Sequence, residues 1–172
     1  MSSPTLDKIT VSGAPNGENA TRKTLEIMKS LVTRSVAELP VREFANEIRS
    51  MSDSDYGRAV ALYNTVKSRI RYVSDPPVDE WLQTADLTLQ NNEGDCDDMA
   101  VLIAAVAVLL GIPVRFEAVG FNRYEHVIAQ LQVETPSTCE DCGSHLEWLT
   151  IDPVPTSAVH WSKINKRMSL VV

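Results

Sequence analysis

The sequence predicts an α+β fold in which N-terminal helices and a central buried helix pack on an antiparallel sheet, and three observations carry that reading. Through residue 71 the apolar positions recur at three- and four-residue steps, the helical period. Met99 to Leu110 is an unbroken apolar run of 12 residues. Beyond Pro113 the pattern changes to period two, over Val114–Phe121, His126–Val133 and Glu147–Asp152. Helices first and strands later is the order of an α+β domain rather than of alternating βαβ units. A chain of 172 residues is long enough for one such domain with an N-terminal extension and too short for two.

Taken in order, residues 1–19 read as a leader arm in which Ile9-Thr10-Val11 is either an edge strand or an ordered arm among Pro and Gly residues. Residues 20–52 read as a helical extension. Leu25, Met28, Leu31, Val32, Val36 and Leu39 stripe a first helix stopped by Pro40, and Val41, Phe44, Ala45 and Ile48 stripe a second. The core is placed at 53–160. It starts with a third helix, Asp53 to Arg71, carrying Ala59, Leu62, Tyr63, Val66 and Ile70 on one face. A mostly polar stretch, Asp79 to Glu93, then leads through the turn signal Asn91-Asn92-Glu93-Gly94 into Asp95-Cys96-Asp97-Asp98 and the apolar helix. That helix is apolar on every face and so must be surrounded; Gly111 supplies a left-handed cap and Pro113 forbids continuation. Residues 161–172 read as a C-terminal tail.

Composition excludes several function classes. Hydrophobic residues at 44%, charged residues at 23% and a net charge of −7 describe an ordinary globular chain. The basic clusters Arg22–Lys23, Arg69–Arg71 and Lys163–Arg167 are short and broken by acids, so no nucleic-acid partner is expected. No membrane association is expected either, because 12 apolar residues fall short of the roughly 20 a spanning helix needs. The first residues lack the basic and apolar regions of a secretory signal, which points to a cytoplasmic protein. Three cysteines, Cys96, Cys139 and Cys142, are too few for a disulfide framework.

Cys96 sits at the mouth of the buried helix with Asp95 as a capping candidate. Free amide N–H groups and the helix dipole favour thiolate there. The dipole is worth about 0.3–1 kcal/mol, less than the ~1.4 kcal/mol of one pKa unit, and Asp95, Asp97 and Asp98 oppose it. A reactive thiol therefore needs a histidine beside it; without one, Cys96 is a buried structural cysteine. His126 opens a strand whose apolar face is Val127, Ala129, Leu131 and Val133, so it shares the mixed face with Ile128 and Gln130. Asp152 closes the next strand on the face of Trp148 and Thr150. Adjacent antiparallel strands bring this acid beside the imidazole, the arrangement that orients a base serving a nucleophile. His145 and His160 fall in a loop and in the tail.

Four segments, Gly94-Asp95-Cys96-Asp97-Asp98-Met99-Ala100, Leu109-Leu110-Gly111-Ile112-Pro113-Val114-Arg115, Glu125-His126-Val127 and Trp148-Leu149-Thr150-Ile151-Asp152-Pro153, together resemble the transglutaminase-like superfamily. Its papain-like core carries Cys, His and Asp in that order, and the resemblance spans most of residues 55–155. Ile70-Arg71-Tyr72-Val73 and Glu80-Trp81-Leu82-Gln83-Thr84 resemble small stand-alone members of phage and prophage genomes. The resemblance implies a peptidase-like amide hydrolase or acyltransferase with no cofactor and a peptide or protein substrate. Cys96 would be the nucleophile, His126 base and then acid, and Asp152 the group that holds the imidazole. The Cys96 backbone N–H would be one oxyanion donor, with Gln83 the first candidate for the second and Trp81 and Tyr72 its competitors. The reading from another class is a non-catalytic scaffold or phage assembly module. Ala85 departs from the family, where Pro often follows the Gln-Thr pair.

Two metal readings attach to this sequence. Some family members are calcium-dependent proteases with acids flanking the cysteine, and Asp95, Asp97 and Asp98 look similar. Calcium prefers six to eight oxygens, however, and Ala129 offers none from the His strand, so capping and solvated surface charge are the expected roles. Cys139, Cys142 and His145 supply at most three of the four ligands of a structural zinc. A second chain could complete such a half-site and make a homo-oligomer; a loop staple or two free thiols is the plainer account.

Overall fold

The structure is a computed structural model that describes residues 8–12, 17–75, 79–136, 144–155 and 161–172. Its helices and sheets make the α+β, papain-like arrangement. Cys139, Cys142 and His160 lie outside the described residues, as do the zinc half-site and loop-staple readings that depend on the first two.

The leader's alternating stretch is a strand, β1 (Lys8–Ser12). Helices α1 (Glu18–Ser35), α2 (Leu39–Ser50) and α3 (Asp55–Arg69) follow. Pro40 does not stop the first helix. That helix ends at Ser35, and Pro40 sits in the first turn of α2, where its missing N–H has no partner to lose. Leu39 is accordingly exposed rather than part of a buried stripe. Ser54 caps α3 by accepting from Gly57 N.

The polar stretch contains more order than its composition suggests. A short strand β2 (Arg71–Tyr72) runs parallel to β4 (Glu93–Gly94), and β3 (Asp79–Gln83) pairs antiparallel with β1 in full register, Ile9 opposite Leu82 and Thr10 opposite Trp81. Between them α4 (Ala85–Asn91) is closed by Asn92 in the left-handed conformation, φ 54°. Ser35 Oγ accepts from the Ala85 N–H at 2.9 Å and ties α4 to α1.

Helix α5 (Cys96–Leu110) is the axis of the molecule. From Met99 to Ala107 every residue is at most 2% exposed, because α1 to α4 and four strands pack around it. Gly111 caps it at φ 77°, and Arg49 donates to the Leu109 carbonyl from α2. Strands β5 (Val114–Gly120), β6 (His126–Thr135) and β7 (His145–Ile151) then follow at the expected places, except that β7 starts two residues early, so His145 is in the strand and not a loop, and ends one residue before Asp152. The segment expected to be a tail is not one: after a 3-10 turn at Trp161–Lys163, β8 (Lys166–Val171) pairs with β5. Its Met168 and Leu170 pack on the core while Lys166 and Arg167 end on an outer edge, so charge at one end hid the alternation.

The sheet has the order β7-β6-β5-β8. Phe116, Ala118, Ala129, Leu131 and Ile151 face the helices. The other face carries a polar network. Arg115 Nε donates to Gln130 Oε1 at 2.8 Å, Gln130 Nε2 donates to Glu117 and Thr150, and Arg167 pairs with Glu117 at 2.8 Å. Among the described residues no helix is long and apolar enough to cross a membrane.

Candidate active site

Cys96 opens helix α5 and His126 opens strand β6, two elements that pack against each other. Helix α5 is 15 residues and β5 is 7, which at ~1.5 and ~3.3 Å per residue rise about 22 and 23 Å. The two rises match, β5 follows α5 after only residues 111–113 and packs on it, and the turn 121–125 leads into His126 at the start of β6. That turn needs a glycine before it. A Cβ on Gly120 would stand 1.8 Å from the Arg123 carbonyl oxygen.

His126 is 6% exposed. Its Nε2 hydrogen-bonds Asp152 Oδ2 at 3.0 Å, so Nδ1 is the ring nitrogen left for another partner. Ladder positions make this reach diagonal: Ala129 stands opposite Ile151, which sets Asp152 beside Ile128 and one step across from His126. The second oxygen of Asp152 accepts from Val154 N–H at 3.2 Å. Sequence reasoning missed Trp161. Its ring meets His126 edge-on, centroids 6.0 Å apart and planes at 86°. A tryptophan in a supposed tail carried no period to flag it. The chain must cross from the β7 edge to the β8 edge, however, and Trp161 is where that crossing passes the imidazole.

On the helix side Cys96 is half-buried at the first position of α5. Asp95 and Asp98 form a reciprocal capping box, as the sequence suggested for Asp95. The expectation of solvated surface charge is wrong. Asp95, Asp97 and Asp98 are 7%, 1% and 1% exposed, because β3, β4 and α4 pack against this end of α5. Both oxygens of Asp97 and one of Asp95 are buried without a partner. Burial first, and then the adjacent Asp95 carboxyl with Cys96 and Asp98, hold the Asp97 carboxyl well above its ordinary range. Burial and Asp95 raise Asp98 to about 7, against hydrogen bonds from Gln83 and Asp95 that act the other way. The three carboxylates have oxygens within 4.8 Å of one another, so a cation could take three ligands here, fewer than calcium's usual six to eight.

The oxyanion candidates separate. Gln83 ends β3, and its backbone N–H and Nε2 donate to Asp98 at 2.7 and 2.5 Å while its Oε1 accepts from Asn91, so this side chain clamps β3 to the first turn of α5. The Trp81 N–H is taken by Asp75, and its ring is half-buried in β3. Tyr72 stands beside Gly94 in the β2–β4 pair. Burial raises its hydroxyl pKa, a hydrogen bond with Ser74 lowers it, and the charges of Cys96, Asp95 and Asp97 raise it again, which puts Tyr72 in the field of the helix terminus. His145 is exposed at the far end of β7, about 20 Å of strand from Asp152.

Comparison with known proteins adds to this geometry. The sequence profile described as the transglutaminase-like superfamily matches residues 42–153. No curated protein matches the chain. Among solved structures, the chain is similar to a proposed cysteine protease from Cytophaga hutchinsonii, with a TM-score of 0.57, 14% identity, and coverage of 94% of this chain and 53% of that one. It is also similar to a proposed protease from Parabacteroides distasonis, with a TM-score of 0.52, 15% identity, and coverage of 70% and 25%. The chain thus spans about half and a quarter of those two proteins' lengths.

Proposed function

The chain belongs to the transglutaminase-like superfamily, and from that premise we propose that it is a cysteine-dependent amide hydrolase or acyltransferase, peptidase-like, working through an acyl-enzyme on Cys96. The observation that supports this most is the 3.0 Å bond between His126 Nε2 and Asp152 Oδ2, made from a strand that packs against the helix Cys96 opens.

In this reading the Cys96 thiol gives its proton to His126 Nδ1, and the sulfur attacks the amide carbonyl. The tetrahedral oxyanion takes the Cys96 backbone N–H as one donor. Tyr72 is the better-placed second donor, because Gln83 is engaged with Asp98 and Asn91 through both ends of its amide. Collapse breaks the C–N bond, and His126 returns the proton to the leaving amine. Water or another amine, deprotonated by the same imidazole, then releases the acyl group. Asp152 holds the ring and balances its charge while it is protonated.

The test is turnover of peptide and glutamine-amide acyl donors with and without added amine. Wild-type protein should release product and Cys96→Ala should not, with its circular dichroism unchanged. A thiol probe at neutral pH, in a background with Cys139 and Cys142 replaced by Ser, should label Cys96 quickly and only while His126 is present. Wild-type rates from Cys96→Ala end the proposal.

A further inference from the structure

Beyond His126, on the side bounded by Asp152 and Trp161, lies a cavity of about 480 Å³ that the mechanism above does not use. That volume is within the roughly 300–1,000 Å³ of small-ligand sites. One wall is α3, presenting Tyr63 and Lys67; the opposite wall is the end of β7 with Thr150, followed by Val154, Pro155 and Trp161.

Tyr63, Lys67 and Thr150 offer donors to this space. Lys67 Nζ donates to Tyr63 Oη at 2.9 Å, which leaves the Tyr63 hydroxyl proton free. Thr150 Oγ1 accepts from Gln130 Nε2 at 3.1 Å, which leaves its own proton free. No carboxylate pairs with Lys67 among the described residues, although the chain carries a net charge of −7. Asp152 borders the cavity, but its two oxygens are taken by His126 and by the Val154 N–H. An ammonium and two hydroxyls against an apolar floor match a ligand group that accepts hydrogen bonds and carries negative charge.

We propose that this cavity is a subsite for a carboxylate carried by the leaving side of the scissile amide, with Lys67 as its charge partner. The side follows from the reaction and so rests on the function proposed above. With Nε2 held by Asp152, the imidazole meets sulfur and leaving nitrogen through Nδ1, and the residue attached to that nitrogen extends past His126, away from Cys96. The carboxylate is either the free C-terminus of a short peptide or an acidic side chain next to the cleaved bond.

Binding of three peptides to Cys96→Ala protein by titration calorimetry separates these sources without needing turnover. They are acetyl-trialanine with a free carboxylate, the same peptide as its carboxamide, and the carboxamide with a terminal glutamate. A carboxylate form should bind roughly 10-fold or more tightly than the plain carboxamide, as a charge-assisted contact does. The free-carboxylate arm alone identifies a C-terminal group; the glutamate arm alone identifies a side chain. Lys67→Met should abolish the preference while leaving carboxamide binding unchanged, and Lys67→Arg should keep it. Lys67 is exposed on α3 and methionine is a good helix former, so the fold survives the change. Equal binding of all three peptides, no binding of any, or a preference that persists in Lys67→Met overturns the subsite. A preference without turnover in wild-type protein would instead keep the subsite and reject the enzyme.

Discussion

The strand half of the candidate site and its helix half are stabilised in opposite ways. Around Asp152 both carboxylate oxygens have partners, and the ring it holds is fixed by the β6–β7 ladder. Around Cys96 three buried acids crowd one helical turn, and three of their oxygens have no partner. Fully paired polar groups rigidify a site, whereas unpaired buried ones leave it dependent on protonation. The difference suggests a division of labour, with the imidazole held in one geometry and the thiol end left responsive to its surroundings.

The largest effects should come from removing the strand half. His126→Ala should lower turnover on the order of 10³-fold or more, as loss of a general acid–base does. Asp152→Asn should lose less, because an amide still holds the ring but cannot balance its charge. Equal losses from the two would make charge, not orientation, the contribution of Asp152. Steady-state kcat/KM against pH measures both.

A matched pair of glycines probes the halves through the backbone. A Cβ on Gly120 meets backbone, with Arg123 O at 1.8 Å and Glu125 N at 3.0 Å, so Gly120→Ala must move the turn that delivers His126. A Cβ on Gly94 meets the Asp98 side chain, with Cβ at 2.7 Å and Oδ2 at 3.0 Å. We expect Gly120→Ala to lose about 1–3 kcal/mol of stability in urea unfolding and most of the turnover. Gly94→Ala should lose less stability, because its closest approach is 2.7 Å rather than 1.8 Å, but rotating Asp98 does not move that Cβ, so the first turn of α5 must shift and the pH response described below should change. A Gly120→Ala protein with full activity would mean that the turn does not set the position of the imidazole.

What the sequence made legible follows the same division. His126 and Asp152 could be paired in advance because period-two alternation in β6 and β7 fixes which side chains share a face, and a one-residue slip would have buried the wrong set. Cys96 was legible because Gly111 and Pro113 bound the helix it starts. β3 was not. Its Asp79-Glu80-Trp81-Leu82-Gln83 has weak strand propensity, and it is a strand because β1 pairs with it from some 70 positions away. The buried acids were misread for a related reason: acidic residues are almost never fully buried, and here the cover comes from β3 and α4, whose packing no local pattern in Asp95–Asp98 announces. β8 and Trp161 were hidden by charge at the end of the chain.

The smallest effect we expect is also the one that isolates the helix half. Asp98 titrates at about 7 and Asp97 well above its ordinary value in the folded protein, whereas an unfolded aspartate titrates near ~3.9. Between those values the folded state holds protons that the unfolded state has released. The contribution of these two acids to stability is therefore fullest below about pH 4 and is lost as pH rises through 7, where Asp98 must ionise in its buried site. The Tm of wild-type protein should fall steadily from pH 4.5 to 8.5. Asp97→Asn removes the acid with two unpartnered oxygens, so its curve should be flatter. At pH 8 it should be more stable than wild type by roughly 1 kcal/mol or somewhat more. Parallel curves for wild type and Asp97→Asn would mean that the acids beside Cys96 are not what distinguishes the two halves.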